Sequence, residues 1–202
     1  MRTNPEKQLF FDDVAPRWMR DEEARSARLA ELFSAGVLPV TGPVLDVGTG
    51  TGILIPHLLA AGCRAIHACE ISGAMLQSAW TRYAGARGVH FLRCDAQRLS
   101  LRDASVATVH CFSVYPHFDT PDRALAEFRR VLRPGGKLCI LHLMDHTELN
   151  ALHSDAGRAV AHDLLPPMDA LSATLQRCGY HVLHAEERPG LYLLCAQLPP
   201  LH

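Results

Sequence analysis

Residues 44–52 read Val-Leu-Asp-Val-Gly-Thr-Gly-Thr-Gly, the segment of this chain best suited to cradle a ligand. Glycines let a backbone turn sharply and let a ligand come close, because no Cβ intrudes. The loop leads into a helical segment, whose first free N–H groups favour a carboxylate or phosphate. Two common templates fail here. A dinucleotide loop needs a third glycine where Ile53 stands, and a P-loop needs Gly-Lys-Ser/Thr where residues 52–54 read Gly-Ile-Leu. What remains is GxGxG with Asp46 two positions ahead. A carboxylate there suits a ligand with a cationic amino group better than one with a pyrophosphate.

Two further acids follow at strand ends. Glu70 closes an apolar run 24 residues after Asp46, where a carboxylate can accept from both hydroxyls of a ribose. Asp95, with Ala96 and Gln97 beyond it, follows the next apolar run. An acid there can accept from an adenine amino group while a backbone N–H donates to a ring nitrogen. Each acid alone reads equally well as a solvated strand end. Together they occupy the carboxyl ends of successive strands, where open α/β sheets bind ligands.

Proton-handling candidates lie beyond the fourth and fifth strands. Ser113, Tyr115, His117 and Asp119 follow one; His142, Asp145 and His146 follow the other. A histidine with a near-neutral pKa can deprotonate a hydroxyl, an amine or an activated carbon acid. His117 is the first candidate base and Tyr115 the second. There are 12 histidines, and His142, His146, His153 and His162 stand close to Asp145, Asp155 and Asp163. The spacing is not HExxH and offers no compact ligand pair, so surface histidines in a polar loop are expected, with no metal.

The elements that must position these groups alternate strand-sized apolar runs with helix-length segments. Strands are predicted at 43–47, 65–70, 89–94, 106–113 and 137–143, and helices at 21–35, 53–61, 73–84, from Thr120 or Asp122 to about Leu132, and 167–178. Ser72 is placed to N-cap the third helix; Gly36, Gly62 and Gly179 are placed as stops. Residues 181–188 and 191–198 form a hairpin about Pro189-Gly190. Five strand–helix repeats and a hairpin predict an α/β fold with a seven-stranded, mostly parallel sheet and one antiparallel C-terminal strand.

With 48% hydrophobic residues, 20% charged residues and a net charge of −1, the 202-residue chain can build one core and lacks the basic stripe of nucleic-acid binders. The Asx/Ser-Pro-Pro-aromatic signature of enzymes acting on base nitrogens is absent; residues 113–117 read Ser-Val-Tyr-Pro-His. No apolar run is long enough to span a bilayer and the N-terminus lacks a secretory signal, so a cytoplasmic protein is expected. Seven cysteines, with no CxxC pair, read as small buried hydrophobes without a disulfide framework.

Four segments in order, VLDVGTGTG, ACEISGAMLQSA, CDAQRLSL and EFRRVLRPGGKLCIL, make the chain resemble class I S-adenosylmethionine-dependent methyltransferases. More narrowly it resembles the small-molecule branch that includes ubiquinone and menaquinone biosynthesis methyltransferases, whose N-terminal FFDxxAxxW entry is similar to FFDDVAPRW here. The resemblance implies a Rossmann-like three-layer sandwich, S-adenosylmethionine as cofactor, and methyl transfer to a small organic acceptor by in-line displacement, mainly through alignment and desolvation. It places the loop of Gly48, Thr49, Gly50, Thr51 and Gly52 under the methionine part, with Asp46 toward its amino group. It gives Glu70 the ribose, Ile71 and Met75 the adenine flank, and Asp95, Ala96 and Gln97 the adenine edge. Cys111 and Phe112 border the methyl group. Residues 1–36 become an arm and helix that act as a lid, with Phe10, Phe11 and Trp18 joining Ser113, His142, Asp145 and His146 in the acceptor pocket. Residues 37–202 become the methyltransferase domain proper. The residues leave open a non-catalytic protein that senses the cofactor or binds a partner on the same fold. They set neither the acceptor nor the oligomeric state.

Overall fold

A computed structural model describes residues 5–18, 22–157 and 159–200. Residues 1–4 and 19–21 of the predicted arm, among them Asp21 at the start of the predicted helix 21–35, lie outside them. Seven strands form one sheet: β1 (Val44–Val47), β2 (Ile66–Glu70), β3 (Val89–Arg93), β4 (Val106–Phe112), β5 (Leu132–His142), β6 (His181–Arg188) and β7 (Leu191–Gln197). Their order is β3-β2-β1-β4-β5-β7-β6. The pairs from β3 to β5 are parallel, and β7 runs antiparallel to both its neighbours. The helices are α1 (Pro5–Val14), α2 (Glu22–Ser34), α3 (Ile55–Ala60), α4 (Gly73–Tyr83), α5 (Pro121–Val131), α6 (His146–Asp155) and α7 (Met168–Arg177).

The strand pleat sorts the core into two layers. In β5, Leu138 and Ile140 join one cluster and Cys139 and Leu141 the other; in β7, Tyr192 and Leu194 join the first and Leu193 and Cys195 the second. Alternation with both faces apolar is what a sheet covered on each side requires. Phe128 of α5 and Leu171 and Leu175 of α7 fill the first cluster, while Leu29 of α2 and Ile55 and Leu58 of α3 fill the second. Fully buried Phe128 contributes about 1.5–3 kcal/mol. This is the expected three-layer α/β sandwich. Among the described residues no helix is long and apolar enough to cross a membrane.

Three local expectations change. First, β5 starts at Leu132, earlier than predicted. Register passes from Val106↔Leu132 to Thr108↔Lys137, so residues 133–136 bulge opposite Ala107, with Gly135 at φ +75°. Second, residues 146–155 are a helix where a polar loop was expected. Asp145 accepts from the N–H groups of Thr147 and Glu148, and Glu148 accepts from the Asp145 N–H, a complete capping box. Third, Cys69 and Cys94 are joined in a disulfide, with Cα atoms 6.0 Å apart, while the other five cysteines are free. Parallel pairing of β2 with β3 carries both residues to one end of the sheet, which a separation of 25 in sequence conceals.

Candidate functional site

Strand order reverses at β1 and β4, where the chain leaves neighbouring strands toward opposite sides. The loops after these strands, 48–54 and 113–119, open a cleft of about 940 Å³ counted out to its mouth. Gly48, Thr49, Gly50 and Thr51 line it from the first loop, and Ser113, Val114, His117, Phe118 and Asp119 from the second. Ser113 adopts φ +55°, uncommon for a residue with a side chain, and its N–H donates to Leu141 O at 2.9 Å. That turn brings Val114 onto Gly48, where a Cβ would run into the valine side chain. A Cβ on Gly50 would meet only ordinary contacts, Trp18 Nε1 at 3.8 Å the nearest, but the residue needs φ +56°, and its N–H donates to Glu70 Oε2 at 2.9 Å. Both glycines take a positive φ, and Gly48 in addition has no room for a side chain.

Glu70, Ile71, Met75, Asp95, Ala96 and Gln97 line the other end of the cleft. Glu70 Oε1 accepts from the N–H groups of Ile71 and Ser72 at 2.8 and 2.9 Å. With Gly50, three of its roughly four acceptor directions are used, and one on Oε2 stays open for a hydroxyl. Burial pushes its carboxyl up, against the pull of those backbone N–H groups. Ser72 caps α4 as predicted, accepting from Met75 N–H at 3.1 Å. Asp95 Oδ1 accepts from Gln97 N–H at 2.9 Å, which turns the chain so that both residues face the cleft. Asp46 lies beneath the loop, 1% exposed, and does not line the cleft. Its Oδ2 accepts from Thr49 Oγ1 at 2.6 Å, so it braces the loop from below. Burial, partly offset by Thr49, pushes its carboxyl up to about 7. Gly52 is likewise behind the loop, packed on Tyr83.

The remaining wall is aromatic. Phe11 and Trp18 line the cleft, with Lys7 and Arg25 beside them. Phe112 lines it from the end of β4, whereas Cys111 next to it points into the core, as strand alternation demands. His117 Nδ1 sits 2.7 Å from Asp163 Oδ2, and the Phe11 ring centroid is 5.0 Å from the imidazole. Burial pulls the His117 pKa down while Asp163 pulls it back up.

Several predicted pocket residues sit elsewhere. Tyr115 packs against Phe118 in the core, where burial pushes its phenol up and away from service as a base. Phe10 packs edge-on to Phe11 behind the cleft wall. His142 is 2% exposed and does not line the cleft; burial drives its pKa down to about 3. Asp145 is spent on the α6 cap, and His146 pairs through Nδ1 with Glu187. Among the described residues no group of three or more His, Cys, Asp or Glu is placed to hold a metal.

Lys7 and Arg25 line the cleft without a sequence signal, each a lone charged residue brought in by packing; Asp163, notable in sequence only for standing among the histidines, reaches His117 the same way. The donor set fits S-adenosylmethionine: an acceptor-only carboxylate anchored to the glycine loop with one direction left for a hydroxyl, a second acid with an adjacent N–H, and apolar flanks in Ile71 and Met75.

Comparison with known proteins gives the same answer. A methyltransferase domain family profile matches residues 45–140. An O-methyltransferase of Aspergillus nomiae is 31% identical, over 86% of this chain and 79% of that protein. A ubiquinone/menaquinone biosynthesis C-methyltransferase of Syntrophotalea carbinolica is 30% identical, over 84% of this chain and 74% of that one. Another, from Acidiphilium cryptum, is 33% identical over 65% of this chain, which spans little more than half of it, 56%. Solved structures of an S-adenosylmethionine-dependent methyltransferase from Aquifex aeolicus (TM-score 0.68, 20% identity, 98% of this chain and 100% of that one) and of the [4+2]-cyclase SpnF (0.70, 19%, 86% and 82%) share the fold. Identity of 30% or more across most of both chains, joined to a cleft with the expected acids and glycine loop, shows that the chain belongs to the class I S-adenosylmethionine-dependent methyltransferases.

Proposed function

We propose that the chain methylates a small, mostly apolar organic acceptor bearing an acidic hydroxyl or carbon acid, with His117 receiving the acceptor's proton. One observation carries this reading: His117 and an aromatic wall share a single cleft with Glu70 and Asp95. S-Adenosylmethionine supplies a methyl group on a sulfonium, so the protein's task is alignment and exclusion of water. Glu70 and Asp95 orient the cofactor's ribose and adenine. Arg25, beside Trp18 and the glycine loop, is the cation we assign to its carboxylate. With Nδ1–H of the neutral imidazole donated to Asp163, the lone pair lies on Nε2, the atom that receives the proton. The deprotonated acceptor would then take the methyl group that S-adenosylmethionine, held by Glu70, Asp95 and Arg25, would supply, with S-adenosylhomocysteine as the leaving product.

Phe11, Trp18 and Phe118 offer planar surfaces, which supports an aromatic or quinone-like acceptor, as do relatives named for ubiquinone and menaquinone biosynthesis. Residues 1–36 act in this reading as a lid over the methyltransferase domain of residues 37–202, in a cytoplasmic enzyme. Net charge −1 supports a small molecule over nucleic acid. The test is turnover of methyl-labelled cofactor against a panel of phenols, hydroquinones and a metabolite extract. We expect label on a small aromatic hydroxyl or its ring carbon. Cofactor binding with no labelled small molecule overturns the reading, in favour of a protein that only senses the cofactor.

A further inference from the structure

Helix α1 bridges the two halves of the cleft. Toward its C-terminal end, Asp12 Oδ1 accepts from Ser72 Oγ and, at 3.1 Å, from Ala74 N–H, at the start of α4 beside Glu70. Near its other end, Lys7 Nζ lies 2.8 Å from Asp163 Oδ1 and 3.0 Å from Asp119 Oδ1, and donates to the His117 carbonyl at 3.1 Å. The second oxygen of Asp163 holds His117 Nδ1. Yet none of the ten residues of α1 is buried. These polar contacts and Phe11 are part of its hold on the body. Segments with so little buried surface open before the core does, and ligands enter and leave past such segments.

We propose that Asp163 is the positioning residue for His117, and that Lys7 ties the charge of this pair to the docking of α1. With the helix docked, the Asp163 carboxylate already faces an ammonium, so it does not require a cationic imidazole, and His117 stays a neutral base. With the helix away, Asp163 keeps His117 as its nearest cationic partner, and a buried carboxylate favours protonating it. Closure therefore excludes water and frees the base in one movement.

The surroundings of His117 agree. His153 on α6 lies with its ring centroid 4.9 Å away and turns Nδ1 to the Asp163 carbonyl. His142, at the end of β5, and Asp119, on its own loop and facing Lys7, complete the titratable neighbours. Burial is the largest influence and opposes the imidazolium; Asp163 favours it, while His153 and Lys7 oppose it. Burial works against the Asp163 carboxylate, but hydrogen bonds from His117 and Lys7 hold its pKa below the ordinary value. Lys7 is thus the one contributor to this balance that sits on the movable helix.

The consequence for catalysis rests on His117 acting as the base, as proposed above, but the coupling is measurable without turnover. The experiment is an NMR titration of the His117 imidazole in the full chain saturated with S-adenosylhomocysteine. In Lys7→Gln the imidazole should titrate about one unit higher than in the parent, the size expected when a nearby like charge is lost. Lys7→Arg should restore the parent value. Asp163→Asn should move the titration the opposite way, because the partner that favours the cation is gone. A Lys7→Gln titration that coincides with the parent, or an Asp163→Asn titration that does not fall, overturns the proposal. Failure of this titration alongside productive turnover removes the coupling and leaves the function; the predicted titration without turnover does the reverse.

Discussion

Asp46 illustrates how a residue placed correctly in a motif takes a role that its neighbours decide. Spacing puts it before the glycine loop, but the fold sets it beneath the loop, with Thr49 as its partner and no face on the cleft. Its folded carboxyl titrates near 7 against an ordinary 3.8. A carboxyl raised on folding contributes stability that is fully present below the ordinary value and is lost as pH rises through about 7. The cost at pH 8 is bounded by about 4 kcal/mol. Asp46→Asn, whose amide oxygen still accepts from Thr49, should therefore gain in melting temperature relative to the parent by several degrees between pH 5 and pH 8. A difference that stays constant over that range would show that Asp46 is not titrating. Arg25 makes a second prediction at this scale. If it holds the cofactor's carboxylate, Arg25→Met should weaken S-adenosylhomocysteine by about 1.5–3 kcal/mol. It should leave methylthioadenosine, which lacks the carboxylate, nearly unaffected. Equal losses for both ligands by calorimetry would remove Arg25 from that role. Asp46, Glu70 and Asp95 were legible because strand ends and glycine turns leave local signatures. Arg25 and Lys7 were not, because a lone charge in an unpatterned segment acquires meaning only from what packs beside it, and Asp163 was visible only as a neighbour of histidines, not as the partner of His117.

Elements were legible wherever periodicity was strong. The five predicted parallel strands appear within a residue or two, apart from β5, whose extra turn of LRPGG bulges against Ala107 and joins the strand to α5. Helix α6 was missed although its start carries a plain signal, Asp145 followed by Glu148 three residues on. The apolar stripe behind that cap is thin, with only Leu149 and His153 buried, so no periodic run drew attention to it. Asp145→Ala should cost about 1 kcal/mol through loss of the cap. That is about 2–4 °C in melting temperature for a chain of this size. Affinity for S-adenosylhomocysteine should stay unchanged, since α6 lines no part of the cleft. A loss of cofactor affinity without a fall in stability would return Asp145 to the pocket, where spacing alone had put it.

At the scale of the whole molecule, the sheet with its two apolar layers is the stable body and α1 is an attachment. Removing residues 1–14 should move the melting temperature of the ligand-free protein by about 2 °C or less, because the segment's helix buries no residue. Saturating S-adenosylhomocysteine stabilises the folded state by an amount that grows with affinity. The truncated chain should show a smaller shift than the parent, since Phe11 and Lys7 no longer close the cleft. A large loss of ligand-free stability would make α1 part of the core and not a lid.

Residue order alone determined the fold class, the strand count, the place of the antiparallel strand, the glycine loop that lines the cleft and the acids at the strand ends. All of these follow from interactions between residues close in the chain: pleat alternation, helical period, turn glycines and a capping serine. Tertiary structure decided which of the candidates share the cleft. His117 reaches it and Tyr115, two residues away, turns into the core, because a short 3-10 turn sends neighbouring side chains in different directions. His142 ends fully buried, Cys69 meets Cys94, and Asp163 meets both His117 and Lys7. These meetings join residues up to 156 positions apart. They depend on where packing of the two core layers brings the loops, which no local spacing records.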